Sequence, residues 1–261
     1  MNFKRVISAL TLFPLLIIVL FKAPYYILGF LILITAFLCF YEWSNLYSYP
    51  LSLYLLGEGL LILALLYSFF FSSHILLIFY FFFFFSFSFF IFQFEKTFFQ
   101  FFFFSLLVGL FFLFIGLFSL WEVLQSFGRK PLIYFFSVVF GNDTGAYLIG
   151  KTLGKRPFFS SISPKKTKEG FLGGMALALI MAILLNNWLN LFYPFYVNLL
   201  VAFTLALGGS IGDLFESALK RVAGKKDSGK LIPGHGGLLD RIDGVLFSSP
   251  LYYIMLNLLK E

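Results

Sequence analysis

Four carboxylates in two pairs carry the densest chemical signal in the chain. Asp213 and Glu216 close one apolar stretch, and Asp240 and Asp243 open the next. On a helix, a spacing of three places both members of a pair on one face. Two such pairs delivered to one membrane level can hold hard cations through oxygen ligands. Mg²⁺ in that position bridges phosphate oxygens and stabilises charge at a phosphoryl centre. The same spacing also fits interfacial salt bridges to Lys220, Arg221 or Arg241, and spacing alone leaves both readings open. Gly208, Gly209, Ser210 and Gly212 lie just ahead of the first pair and permit close helix packing there.

Anion-binding features sit beside these acids. Gly150, Lys151, Thr152, Gly154, Lys155 and Arg156 are followed by Ser163, Pro164, Lys165, Lys166, Thr167, Lys168, Glu169 and Gly170, then Gly173 and Gly174. Lysines among glycines and hydroxyls, leading into a helix N-terminus, suit phosphate, although basic loops also arise simply to set topology or meet anionic lipid. The spacing lacks the Walker pattern. A second loop runs through Lys225, Lys226, Asp227, Ser228, Gly229 and Lys230 to Pro233, Gly234, His235, Gly236 and Gly237. Its glycines let backbone N–H groups approach phosphate. His235 has neither a zinc-type His-Glu-x-x-His pattern nor a cysteine cluster, so it reads as a hydrogen-bonding loop histidine. Asp143, flanked by Gly141, Asn142 and Gly145, lies within an apolar run, where a carboxylate normally faces a cavity, a cation or a basic partner.

The elements that must position these residues are membrane helices. Of 261 residues, 61% are hydrophobic, 12% are charged and 42 are Phe, with a mean hydropathy of +0.95. That composition excludes an ordinary soluble domain and a disordered chain. Nine apolar segments can be drawn, at 6–21, 24–41, 51–71, 74–94, 98–120, 131–150, 171–189, 193–214 and 245–259. The first has the flanking charge of a signal peptide but no small-residue cleavage site, and reads as a retained span. With the N-terminus inside, all of the 19 Lys and Arg except Lys22, Arg129, Lys130 and Lys260 fall on the cytoplasmic side, as the positive-inside rule requires. Residues 1–130 read as a Phe-rich transmembrane scaffold. Residues 131–261, with 13 of the 19 basic and 8 of the 12 acidic residues, read as the catalytic region of what is one all-α domain. Cys39 is alone, so no intrachain disulfide forms, and it reads as a small core or lipid-facing residue.

The stretch 217–243, SALKRVAGKKDSGKLIPGHGGLLDRID, resembles the C-terminal signature of the bacterial phosphatidate cytidylyltransferases, also called CDP-diacylglycerol synthases. Asp143 with Ala146 and Tyr147, the run SPKKTKEG and the run GDLFES are similar to further blocks of that family, so the resemblance covers 140–244. Lys168 departs from the pattern, where an aromatic residue is common. The resemblance implies a Mg²⁺-dependent reaction of CTP with phosphatidic acid, giving CDP-diacylglycerol and pyrophosphate. It leaves room for a second cation such as K⁺. On this reading Asp213 and Asp240 lead the metal ligands, with Asp243 and Glu216 beside them; Lys220 and Arg221 join the aspartates in catalysis. The substrate-binding candidates are Asp143, Lys165, Lys166, Glu169, Lys226, Asp227, His235, Gly236, Gly237 and Arg241. The family implies a multi-pass protein of the bacterial inner membrane, its site toward the cytoplasm; no nucleic-acid partner is expected, and small residues in the segments 171–189 and 193–214 would tolerate the close helix contacts of a homodimer.

A CTP-dependent polyprenol or dolichol kinase is the nearest rival, differing in its hydroxyl acceptor and its γ-phosphate donor. CDP-alcohol phosphotransferases fit less well, because their Asp-Gly-x-x-Ala-Arg signature is absent. An ion-coupled transporter is disfavoured by the clustering of acids, bases and glycines on one face, with no internal repeat. A bare scaffold that binds anionic lipid is the remaining alternative from charge.

Overall fold

A computed structural model describes residues 14–71, 99–191, 193–231 and 236–260. The described part is helical. Residues 14–22 are helical, and seven further α-helices follow: α1 Tyr25–Leu46, α2 Leu51–Phe70, α3 Phe104–Phe127, α4 Arg129–Leu153, α5 Lys168–Trp188, α6 Phe195–Val222 and α7 Leu239–Leu258. A π-helical turn, Phe99–Phe103, leads into α3. Prolines mark three starts, with Pro24, Pro50 and Pro194 at the N-caps of α1, α2 and α6; a ring without an N–H fits where no intrahelical bond is lost. Gly128, at φ 84°, makes the turn between α3 and α4, a conformation that favours glycine. Thr167 caps α5, its hydroxyl accepting the Gly170 N–H at 3.1 Å.

Six described helices are long and apolar enough to cross a membrane: α1, α2, α3 with its preceding turn, α4, α5 and α6. The segments expected at 6–21 and 74–94 lie partly and wholly outside the described residues. The last expected span, 245–259, belongs to a helix that begins six residues earlier and does not qualify by apolarity. Asp240, Arg241 and Asp243 occupy its first turns, and Ser248 and Ser249 are fully buried farther along it. It is an interior helix as much as a lipid-facing one. The other correction of consequence is α6, which runs on to Val222 rather than stopping near 214. Hydropathy ends where charge begins, but Glu216, Ala218, Leu219, Lys220 and Arg221 are good helix formers and the backbone continues.

Glycines bring the C-terminal helices into backbone contact. A Cβ on Gly145 of α4 would lie 2.6 Å from the Gly173 carbonyl oxygen of α5, and one on Gly174 would lie 2.7 Å from the Asn142 carbonyl oxygen. A Cβ on Gly212 of α6 would stand 2.7 Å from the Asp243 carbonyl oxygen of α7. On the other side of α7, Ser249 Oγ donates to the Gly116 carbonyl of α3 at 2.7 Å. Without strong hydrophobic drive between helices in lipid, such close approach is what packs them. Gly174→Ala is therefore expected to destabilise the fold by about 1–3 kcal/mol, because neighbouring backbone cannot yield. Gly59→Ala, where a Cβ meets nothing within 4 Å, is the matched control and should be neutral or stabilising in the same detergent melting experiment. Cys39 is fully buried in the core with Phe40 and Trp43.

Candidate functional site

The extension of α6 puts Asp213, Glu216 and Lys220 at spacings of three and four on one helix. The start of α7 presents Asp240 and Asp243 against them, because Gly212 and Gly244 let the two backbones close. Lys220 is the centre of this junction. Its ammonium is 8% exposed as a residue, pairs with Glu216 on its own helix, and reaches Asp240 Oδ1 at 2.5 Å. Asp240 also accepts the N–H of Ser228 at 3.0 Å and that of Gly237 at 2.8 Å. Burial pushes the Asp240 carboxyl up, but Lys220 and the Gly237 N–H outweigh this and hold it below its ordinary value, so it stays ionised. Gly236, at φ 86°, makes the turn that delivers these donors, and a Cβ there would lie 2.6 Å from Asp240 Oδ2.

A second group of charges faces the first. Lys166 Nζ pairs with Asp213 Oδ2 at 2.7 Å, and the Asp213 side chain is 43% exposed. Asp243 is buried, with one oxygen accepting the Gly244 N–H at 2.7 Å. It lies within electrostatic reach of Asp213, Glu216 and Asp143. Asp143, from the middle of α4, is in turn within reach of Asp213, Lys166 and Arg241. Asp143 itself is exposed. Beside it Asn142 Nδ2 donates to Ser210 Oγ at 3.2 Å, tying α4 to α6.

The loop between α4 and α5 is held in shape by its own polar groups. Glu169 Oε2 accepts the N–H groups of Lys155 and Arg156, both at 3.1 Å, and Pro157 and Thr167 form an antiparallel bridge. Arg221 Nε donates to the Ile162 carbonyl at 3.2 Å and its Nη1 to the Lys225 carbonyl at 3.1 Å, so it fastens both basic loops to the end of α6. Lys165, Lys226, Asp227 and Arg241 are exposed around the rim. His235 lies outside the described residues. Gly237 is buried, and its N–H points to Asp240.

The salt-bridging expectation for the acid pairs is met at Lys220 and at Lys166. Glu216 and Asp240 share Lys220, whereas Asp213 pairs with Lys166, and Asp143 and Asp243 lie within electrostatic reach of Asp213. Among the described residues no group of three or more His, Cys, Asp or Glu is placed to hold a metal ion. Mg²⁺ does not require such a group, because it keeps several waters and binds through one or two carboxylates plus substrate phosphates.

One residue of the site comes from the scaffold half. Glu42, near the end of α1 and 1% exposed, accepts the N–H of Leu238 at 3.0 Å and of Leu239 at 2.8 Å, and Ser228 Oγ donates to it at 3.2 Å. A carboxylate inside an apolar run was the signal that singled out Asp143, and it applies equally to Glu42. Its partners, almost 200 positions away, leave no local trace.

Comparison with known proteins shows the family. The family model described as the cytidylyltransferase family matches residues 3–259. The chain is 45% identical over 135 residues to the phosphatidate cytidylyltransferase of Bacillus subtilis (strain 168), covering 52% of this chain and 50% of that one. It is 43% identical over 142 residues to that of Staphylococcus aureus (strain COL), and 40% identical over 142 residues to that of Staphylococcus epidermidis (strain ATCC 35984), in both cases covering 54% of each chain. The aligned part thus spans about half the length of the curated relatives it matches.

Proposed function

The chain belongs to the cytidylyltransferase family, and we propose that it transfers the cytidylyl group of CTP to phosphatidic acid, releasing pyrophosphate and forming CDP-diacylglycerol. The observation that carries this reading is the meeting of Lys166, Asp213, Lys220, Asp240 and Asp243, from separate elements, at one end of a bundle of apolar helices. A lipid phosphate and a nucleotide triphosphate both need cations, and the acceptor's acyl chains need a bilayer.

In the reaction, a phosphate monoester oxygen of phosphatidic acid attacks the α-phosphorus of CTP. The bond from that phosphorus to the β-bridging oxygen breaks, and pyrophosphate departs with the electron pair. The acceptor oxygen is already anionic near neutral pH, so no strong general base and no covalent enzyme intermediate are needed. The protein's task is to position two polyanions and offset their charge. Lys166, beside Asp213, and the neighbouring Lys165 would hold a phosphate, and Lys220 with Arg221 fixes the ends of α6 and α7 next to them. Asp213 and Asp243, with Asp143 near them, would hold Mg²⁺, which supplies charge neutralisation at the phosphoryl oxygens. Asp240 and Glu216 serve this reading best through Lys220, as the partners that keep its ammonium in place.

The fuller topology belongs to the same proposal: nine spans, the N-terminus in the cytoplasm, and the site at the cytoplasmic face of the inner membrane. The charge distribution supports it. A homodimer is compatible with the small residues on α5 and α6. Purified protein given CTP, Mg²⁺ and either phosphatidic acid or a polyprenol separates the readings. CDP-diacylglycerol with equimolar pyrophosphate is expected, whereas polyprenyl phosphate with CDP would identify a lipid kinase instead.

A further inference from the structure

Helix α7 begins without a cap of its own. Leu238 stands at its N-cap position and has no side-chain acceptor for the first N–H groups, which a buried helix start cannot leave unpaired. Glu42 supplies that acceptor from the end of α1, taking the Leu238 and Leu239 N–H groups on its two oxygens. A carboxylate at this end is also favoured by the helix dipole. The same carboxylate receives the Ser228 hydroxyl, and the Ser228 N–H goes to Asp240. Asp240 is the second residue of α7, so the position of Glu42 sets that of Asp240 and, through it, of Lys220.

The loop is shaped around this group. A Cβ on Gly229 would lie 2.5 Å from Glu42 Oε1, and one on Gly237 would collide with Glu42 Oε2 and the Ser228 hydroxyl. Two of the loop glycines thus serve the approach of loop backbone to Glu42. Beside these bonds the loop stands off α1 across a cleft of about 290 Å³, so polar contacts make the joint, aided by Lys225 Nζ donating to the Asn45 carbonyl.

We infer that Glu42 is a positioning residue of the reaction: a cap supplied across the molecule by the scaffold half, which holds residues 225–231, residues 236–238 and the first turn of α7 in the arrangement that the proposed reaction uses. The inference rests on the proposed activity for its kinetic consequence but not for its structural one.

The test uses the full-length protein in detergent. Limited trypsin digestion compares cleavage at Lys225, Lys226 and Lys230 with cleavage at Lys151 and Lys155 in wild type, Glu42→Gln and Ser228→Ala. Glu42→Gln keeps the size of the side chain but turns an N–H group toward one of two N–H donors. It should raise cleavage in the 225–230 loop by roughly tenfold or more, with Ser228→Ala smaller in the same direction and Lys151 and Lys155 unchanged. In the activity assay the KM for CTP should rise at least about threefold for Glu42→Gln, with the KM for phosphatidic acid unaltered. Saturating CTP should restore loop protection. Unchanged loop cleavage in folded Glu42→Gln would overturn the inference, and so would an equal rise at both loops, which marks general loosening. If Glu42→Gln does not fold, Ser228→Ala decides in the same way. Wild-type protein inactive with CTP and phosphatidic acid would remove the proposed activity while the digestion still decides the role of Glu42.

Discussion

Lys220→Met is expected to abolish turnover and to lower the stability of the fold by about 3–5 kcal/mol, because it leaves two carboxylates buried without their cation. Glu216 is 1% exposed, and Asp240 keeps only its backbone donors once Lys220 is gone. The loss of stability should appear as a lower melting temperature in detergent. Adding Glu216→Gln and Asp240→Asn to Lys220→Met removes the uncompensated charge, so most of the melting temperature should return while activity does not. A Lys220→Met protein as stable as wild type would mean that the ammonium is not the centre of this junction.

Asp213→Asn is expected to behave in the opposite way. Its carboxylate is 43% exposed and its ion pair to Lys166 is a partly solvated contact that contributes little to folding. The melting temperature should move by no more than about 3 °C. Turnover should nevertheless fall by ~10²–10³-fold, the usual consequence of removing one group that stabilises transition-state charge. The Mg²⁺ concentration for half-maximal rate should rise as well if Asp213 is a ligand as proposed, because the substitution removes an anionic oxygen. Equal activity in the variant would take Asp213 out of the machinery and shift the ion toward Asp243 and Asp143.

The contrast between these two residues also shows what the sequence carries. The acids and bases were legible because a charge in a chain this apolar has few structural excuses, and the spacing of Asp213, Glu216 and Lys220 puts them on one helical face. Which acid a given lysine would choose was not legible. Lys220 could have paired along its own helix only, and its contact with Asp240 exists because Gly212 lets α7 approach α6. The nine-segment pattern located six helices that match membrane-spanning length, but hydropathy placed the end of α6 eight residues early and the start of α7 six residues late. Both errors fall where charged residues sit within helix that is buried rather than lipid-facing. The glycines of the second loop were assigned to phosphate; in the structure Gly229 and Gly237 make room for Glu42, and Gly236 for Asp240. Glu42 itself fell in the half read as scaffold, since a cap delivered from 196 residues away has no sequence spacing to betray it.

The central claim is that the α-phosphorus of CTP, and not the γ, moves to the lipid. It is tested most directly by supplying phosphatidic acid and Mg²⁺ with CTP labelled at either phosphorus and separating lipid from water-soluble products. The α-label is expected in the lipid and the γ-label in pyrophosphate, both appearing ~10²–10³-fold more slowly in Asp213→Asn. Recovery of the γ-label in a lipid, with CDP left in solution, would contradict the account.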